Sequence, residues 1–391
     1  MLKENAVIGL SSGEPAWMLK ARLGYLKKFN ELPMPSFKYG LGIFVDIGNL
    51  DLENINPFAD IGNTAIVSKG VEVLRFKECY EKYGKEIKEY FMADDDVNKL
   101  SALHGAFFNE GFVIKIPDNT YIKDPIIINL DMKKATIIQN VLVIAGKNSK
   151  AVVLECSRSS NTHESAFRSQ VVQLVLEENA TLEYQSYQNF SKKVYNFSKR
   201  RAEVKANAFI SWIDCFMGSK FTQVQTVSML EKDGATAKNS GIIFGDGEQC
   251  YDVNTRAVHL GSRTTSDILA KVVLDNKAKA VYRGLVKINK GAIKCNGYQK
   301  EETILLSEDA QIDAVPNLEI GNNDVKCSHG VTVSQVDDGK LFYMMSRGLS
   351  ENDAKHAIVE GFFNPTVLRI GDEGVQLEIK NTIQKRLKIK F

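Results

Sequence analysis

The sequence has 391 residues, of which 50 are Lys or Arg and 48 are Asp or Glu, and its formal net charge is +2. This balance offers no basic surface for nucleic acid, and no apolar run approaches the ~20 residues that span a bilayer. The first residues lack the apolar segment of a secretory signal. We therefore expect a cytoplasmic protein in a reducing compartment, with neither nucleic acid nor membrane as a partner.

Residues 1–116 are predicted to be mostly helical. Three segments carry apolar residues at helical spacing, namely 14–29, 77–91 and 97–107. Asp94–Asp96 are predicted to cap the last of these helices, because a side-chain oxygen there accepts from the first backbone N–H groups. Residues 32–63 are rich in Pro, Gly and Asn, which predicts an extended connector with little regular structure.

The middle of the chain, residues 117–336, is predicted to form a β core. Short segments rich in Val, Ile, Thr and aromatic residues alternate there with polar breaks, and no long helical segment interrupts them. This pattern disfavours βαβ units and a doubly wound nucleotide-binding fold.

A weak internal repeat favours a solenoid for this core. A polar residue followed by Ala recurs 14 to 29 residues apart, at 150–151, 179–180, 207–208, 234–235, 256–257, 277–278, 291–292 and 309–310. Such a repeat is typical of stacked strands, in which a small Ala lets the chain turn a tight corner. A β-sandwich is the alternative, although its turn signals come every ~8–12 residues.

Residues 337–391 return to a helical pattern. Asp337 or Asp338 is predicted to cap one helix and Ser350 a second, while Asn364-Pro365 is predicted to start a third element. The chain ends in a basic segment, which is typical of a solvated helix face or of a helix C-terminus whose charge matches the helix dipole.

Cys327 and His329 are the candidate metal ligands. Residues two apart on a strand point to the same face, and a thiolate with an imidazole suits iron or zinc. If coils stack ~4.8 Å apart, Cys295, Glu301 and Glu302 would lie on a neighbouring rung and extend the site. The alternative is a half-buried cysteine and a hydrogen-bonded histidine beside a glycine bend, and the residues alone leave both interpretations open.

Other chemistry is disfavoured. A Cys–His hydrolase needs an orienting Asn or Asp and an oxyanion hole, and no local signature for either is present. The glycine-rich segments at 40–42 and 245–247 match no nucleotide motif, so we predict no nucleotide site on this chain. No two cysteines are closer than 32 residues, which excludes Cys-x-x-Cys zinc and redox motifs.

Several segments carry a resemblance to a known family. They are the run of residues 302–362, which includes PNLEIGNNDVKCSHG, the segment YRGLVKINKGA at 282–292, and the leading GEPAWMLKARLGYLKKF and INPF. With these residues the chain resembles the SufB/SufD family of the SUF iron–sulfur cluster assembly system, over nearly its whole length.

The resemblance implies a mainly β fold, a right-handed parallel β-helix core flanked by α-helical N- and C-terminal regions. It implies a non-catalytic scaffold for a transient iron–sulfur cluster, paired through the β-helix with a second SufB/SufD-type subunit. The C-terminal helices would dock a SufC-like ABC ATPase, and a sulfur donor and apo-protein acceptors would be further partners. The docking residues so implied are Leu341, Phe342, Tyr343, Arg347, Ile358 and Phe362.

The chain departs from the SufB branch at one position. That branch has a cysteine directly before the strand that starts here at Glu302, and this chain has Glu301 instead, so it looks SufD-like. Either it pairs with a separate SufB, or it forms a homodimer whose site uses Cys327, His329, Glu301 and Cys295 from each subunit. We favour the ligand set of this second alternative, because an iron–sulfur cluster needs thiol ligands.

Two other functions stay open. A β-helix enzyme acting on carbohydrate is weakly supported, because Trp17 and Trp212 are the only tryptophans and no hexapeptide repeat is present. A purely structural partner subunit that holds no cluster is the second.

Overall fold

The computed structural model describes residues 2–35, 37–39, 43–45, 47, 50, 52, 64–67, 71–90, 97–132, 136–159 and 165–388. The helices are α1 Glu4–Leu10, α2 Ala16–Glu31, α3 Phe76–Tyr90, α4 Lys99–Phe107, α5 Asp338–Ser346, α6 Glu351–Val367 and α7 Glu373–Lys388. The first strands are β1 Phe37–Tyr39, β2 Ile43–Val45, β3 Thr64–Val67, β4 Glu72–Arg75, β5 Glu110–Ile116, β6 Ile126–Met132, β7 Thr136–Ala145, β8 Lys150–Ser159, β9 Ala166–Leu176 and β10 Thr181–Phe190. The later strands are β11 Val194–Val204, β12 Phe209–Gly218, β13 Phe221–Leu230, β14 Thr236–Gly245, β15 Cys250–His259, β16 Thr265–Leu274, β17 Lys279–Ile288, β18 Cys295–Leu305, β19 Gln311–Ile320 and β20 Val325–Gln335.

Strands β5 to β20 wind into a parallel β-solenoid of about eight turns. The odd-numbered strands form one sheet and the even-numbered strands form the other, with β4 and β3 added antiparallel at their first edges. Paired positions in the even sheet, such as Lys150, Thr181 and Phe209, are 31 and 28 residues apart along the chain. The mainly β fold and the solenoid are therefore confirmed, and the first parallel strand begins at Glu110.

Asparagines occupy one column of turns. Asn119, Asn148, Asn179 and Asn207 have φ of 54° to 59°, in the left-handed region that Asn tolerates better than most residues. Asn148 Nδ2 donates to Asn119 Oδ1 at 2.8 Å, and Asn179 Nδ2 donates to Asn148 Oδ1 at 2.9 Å. These side chains therefore tie successive coils together at their corners.

The alanines that mark the predicted repeat mostly lie at corners. Ala180, Ala208, Ala235 and Ala278 are buried just before or at the start of a strand. Ala257 lies inside β15, so the turn predicted at 256–257 is wrong, and the spacing of the repeat is irregular partly for this reason.

The helices cover the outer faces of the two sheets. Residues of α2, α3 and α4 share a core with outward side chains of the odd sheet, such as Phe167 and Phe221. Residues of α6 and α7 pack on the even sheet against Leu154, Ile213 and Phe244. Among the helices of the described ranges, none combines the length and apolarity needed to cross a membrane.

The helix ends test the predicted caps. Asp337 and Ser350 each accept from a backbone N–H in the first turn of α5 and α6, as predicted. Residues 55–58 and 94–96 lie outside the described residues, and Asn98 caps α4. The break predicted at Asn364-Pro365 is wrong, because α6 runs through Pro365 while Thr366 and Val367 pack in the core.

Candidate functional site

The candidate ligands lie on the last two strands of the even sheet. β18 and β20 pair in parallel, and β20 is the final strand of that sheet within the described chain. Alternation turns Cys295, Glu301 and their odd-numbered neighbours in β18 toward the interior, where they are buried. Cys327 lies opposite Gly297 on this same face and is half-buried.

The Cys295 thiol is enclosed by polar groups inside the coil. Its Sγ lies 3.1 Å from Thr264 Oγ1 and donates to the Gly261 carbonyl oxygen at 3.5 Å. Thr264 Oγ1 is in turn 2.7 Å from His259 Nδ1, and both residues are buried. The thiol is therefore held in a hydrogen-bonded network away from the edge of the sheet.

Cys327 occupies space that a glycine leaves open. A Cβ placed on Gly297 would lie 3.2 Å from Cys327 Sγ, so the absence of a side chain there leaves room beside the thiol. Burial raises the pKa of the Cys327 thiol, so that without metal it stays protonated at neutral pH. Binding a metal would require that proton to leave.

His329 follows Cys327 on the same strand and is exposed. Its Nδ1 lies 3.4 Å from Gln299 Nε2, a contact that the sequence analysis missed. Strand alternation could have predicted Gln299, because it lies two residues before Glu301 and therefore on the same face of the strand. Gln299 also donates to the Asn317 carbonyl oxygen at 3.3 Å, which links β18 to β19 behind the histidine.

Glu301 and Glu302 face opposite sides of β18. Glu301 is buried inside the coil, and burial raises its pKa to about 8, so its carboxyl group is largely neutral at pH 7. Glu302 lies on the outer face, 2.7 Å from Lys300 Nζ and 3.8 Å from Lys271 Nζ. The structure therefore brings Glu301, and not Glu302, to the face that carries the cysteines.

The predicted ligands form a row and not a cluster. Cys295, Gly297, Gln299 and Glu301 succeed one another along β18, and steps of two residues separate side chains by ~6.6 Å. Among the described residues, no group of three His, Cys, Asp or Glu side chains is arranged to hold a metal ion. Cys327 and His329 lie on the edge strand, whereas Cys295 and Glu301 lie inside the coil on the neighbouring strand.

The predicted docking residues divide into exposed and covered groups. Phe342 and Tyr343 on α5 are 73% and 59% exposed, Arg347 is exposed beside the Tyr343 ring, and α5 has no buried residue. Leu341 is partly covered, and Ile358 lines an α5–α6 groove of about 460 Å³ with Tyr343. Phe362 packs toward the sheet, where Lys271 Nζ lies 4.6 Å from its ring centroid.

Comparisons with known proteins relate this chain to one protein family. Residues 127–362 match the family model described as the SufBD core domain of SUF system FeS cluster assembly. An iron-sulfur cluster assembly protein SufD of Bacillus subtilis is 26% identical over 415 residues, covering 96% of this chain and 95% of the relative. An iron-sulfur cluster assembly SufBD family protein of Staphylococcus saprophyticus is 26% identical over 417 residues, covering 93% and 88%.

Proposed function

The chain belongs to the SufBD family of iron–sulfur cluster assembly proteins, and we propose that it is a non-catalytic scaffold subunit on which a nascent cluster is built. One observation carries the proposal: Cys327 and His329 stand two residues apart on the terminal strand of the solenoid. Thiolate and imidazole together suit iron, and an edge strand leaves them accessible to a partner. The cluster is cargo here, acquired and passed on to acceptor proteins.

A second subunit would complete the ligand set. Strands β19 and β20 end their sheets, and apolar side chains at this end are exposed, namely Val315, Ile320, Val331 and Val333. Unpaired strand edges with apolar surface favour pairing with another chain. We infer that a second SufB/SufD-type subunit, either another copy or a SufB-like chain, covers this end and adds ligands beside Cys327.

Within one chain, the proposed ligands differ in their accessibility and in their protonation. Cys327 and His329 are presented at the edge, whereas Cys295 would first have to leave its contact with Thr264. Glu301 would have to lose the proton that burial favours. We therefore propose that Cys327 and His329 bind iron first. Glu301 and Cys295, which lie inside the coil, are the further iron ligands that we propose.

Helix α5 is the proposed docking element for an ABC-type ATPase. It carries two consecutive exposed aromatic residues, Phe342 and Tyr343, of which Tyr343 lines the α5–α6 groove, and aromatic residues are enriched at protein interfaces. We propose that nucleotide binding and hydrolysis belong to that partner and not to this chain. The six free cysteines fit the reducing cytoplasm, where a sulfur donor and apo-protein acceptors would meet the complex.

Anaerobic reconstitution tests the ligand assignment. The complex purified with its partners is loaded with ferrous iron and sulfide, and iron content and visible absorption are measured for Cys327→Ala, His329→Ala and Cys295→Ala. We expect large losses for the first two variants and a smaller one for Cys295→Ala. Glu302→Gln is the matched control, because its side chain faces outward. Unchanged iron and absorption in both cysteine variants would contradict the site and favour a subunit without a cluster.

Co-purification tests the docking element. Phe342→Asp should abolish capture of the ATPase by the tagged chain while leaving its melting temperature unchanged, because the ring is exposed. Leu377→Asp is the control, since Leu377 on α7 is also well exposed, at 59% against 73% for Phe342. Equal capture by both variants would place the ATPase on another surface.

A further inference from the structure

A pocket of about 500 Å³ opens on the outside of the solenoid, on stacked turns that precede β11, β13, β15 and β17. Backbone hydrogen bonds hold these turns in register: Cys250 N–H donates to the Lys220 carbonyl oxygen at 3.1 Å, and Lys277 N–H donates to that of Gly247 at 2.8 Å. The volume is within the ~300–1,000 Å³ range of small-molecule sites. The solenoid ladder thus preforms this pocket.

The pocket is lined by positive charge. Lys192, Lys220 and Lys277 border it, and all three are exposed. Lys192 Nζ lies 2.7 Å from Asp246, which also accepts from Arg386 at 3.2 Å, so two cations already compensate that buried carboxylate.

The two other lysines keep their charge available. Within the described part of the chain, neither Lys220 nor Lys277 forms an ion pair, and Glu248 is the single carboxylate that lines the pocket. The ammonium groups of Lys220 and Lys277 against the one carboxylate of Glu248 leave the site with a net positive charge, which favours an anion.

Gln249 adds a buried donor beside these lysines. It is 1% exposed, and its Oε1 accepts from Asp246 N–H at 3.0 Å. This backbone donor fixes the amide orientation and leaves Nε2 as the second polar atom. Among the described residues Nε2 has no hydrogen-bond partner, which is rare for a buried donor. Gln249 lines the pocket, and an anionic oxygen bound there would supply the missing acceptor once a shift of the side chain exposes Nε2.

We propose that this pocket binds a phosphorylated small molecule. Lysine ammonium groups bind phosphate as point charges, and the Gln249 amide would add a neutral donor that helps to orient it. The pocket lies on the outer turns, whereas Cys327 lies on the terminal coil, so the site is independent of the proposed cluster site. Because Arg386 reaches Asp246 from α7, a ligand here would also contact the region that anchors the C-terminal helix.

Isothermal titration of the full chain with pyrophosphate as the probe tests the proposal, with citrate as the carboxylate counterpart. We expect one pyrophosphate per chain, and a Kd raised at least tenfold in the Lys220→Ala/Lys277→Ala double variant. Glu248→Gln should lower the Kd, because it removes the carboxylate that opposes the ligand. A matched double variant, Lys147→Ala/Lys290→Ala, removes two exposed lysines from other turns and should leave the Kd unchanged.

Three outcomes would overturn the proposal. The first is no pyrophosphate binding at millimolar concentration, and the second is an equal effect of the two double variants. The third is tighter binding of citrate than of pyrophosphate, which would reject phosphate as the recognised group. All four lysines are exposed, so these variants are expected to fold, and matching melting temperatures without ligand will verify it.

Discussion

Glu155 is the anion at the centre of a polar cluster inside the solenoid, and its removal tests the interior of the fold. The carboxylate accepts from Arg168 at 2.6 Å, from Gln170 at 2.8 Å and from Ser157 at 2.8 Å. Glu155 and Arg168 are each 1% exposed. Glu155→Gln keeps the shape of the side chain but leaves the Arg168 guanidinium without its counter-ion.

The expected loss follows from the pKa of Glu155. Burial by itself raises this pKa, but the charges of Arg168 and then Arg200, with hydrogen bonds, outweigh it and lower the pKa from 4.5 to about 2. At ~1.36 kcal/mol for each unit by which the pKa is shifted, the ionised carboxylate contributes about 3 kcal/mol to the free energy of unfolding at pH 7. Because the folded-state pKa is depressed, this contribution is present above pH 4.5 and is lost as the pH falls toward 2. Breaking a buried ion pair typically costs a similar ~3–5 kcal/mol.

Urea unfolding followed by circular dichroism measures the loss, and hydrogen exchange of peptides from β8 to β10 localises it. Glu183→Gln is the control, because Glu183 sits on the outer face with its side chain 27% exposed, and should cost less than ~1 kcal/mol. The double variant Glu155→Met/Arg168→Met should lose less than Glu155→Gln alone, since it leaves no buried charge without a partner. A loss for Glu155→Gln no larger than that of Glu183→Gln would refute the reasoning.

Three further predictions concern single residues. Burial raises the pKa of Glu301 from 4.5 to about 8, so in the metal-free protein the contribution of its neutral carboxyl group to the free energy of unfolding is full below pH 4.5 and is lost as the pH rises to about 8. In urea titrations Glu301→Gln should therefore remove up to about 5 kcal/mol of this pH dependence, whereas Glu302→Gln should leave it in place. Asn179→Ala should lower the free energy of unfolding by about 1 kcal/mol in thermal melting. Asn179→Gly should lower it less, because glycine adopts the left-handed φ of 59° without strain, and equal losses would contradict the role of the left-handed turn. Ser350→Ala should lower the free energy of unfolding by about 1 kcal/mol and speed hydrogen exchange in the first turn of α6, because the Ser350 Oγ accepts from Asp353 N–H. Unchanged exchange would argue against the cap.

Local patterns in the sequence were sufficient for the main elements. Alternating apolar residues specified the strands, and Asp337 and Ser350 specified the starts of α5 and α6. These features depend on neighbours within a few residues, which is why the sequence reveals them. The motif around Cys327 and His329 likewise needed only strand alternation to put both side chains on one face.

The tertiary structure decided everything that depends on the register between coils. Successive coils in the even sheet take 27 to 31 residues, and a change of one residue in a turn would exchange the faces of every later strand. The sequence alone therefore could not show that Cys327 lies opposite Gly297, or that Gln299 reaches His329. It equally left open that Glu301 points inward while its neighbour Glu302 pairs with lysines outside.

Packing also overrode a local signal at the end of the chain. Pro365 predicts a helix break, yet α6 continues because Phe363, Thr366 and Val367 are buried against the sheet, which outweighs the lost backbone hydrogen bond. The basic C-terminal segment is not simply solvated, since Arg386 binds Asp246 and Asn189. The sequence by itself thus determined the kinds of element, their order and the family motif. Only the stacking of distant coils decided which side chains meet, because that depends on loop lengths and burial summed over the whole chain.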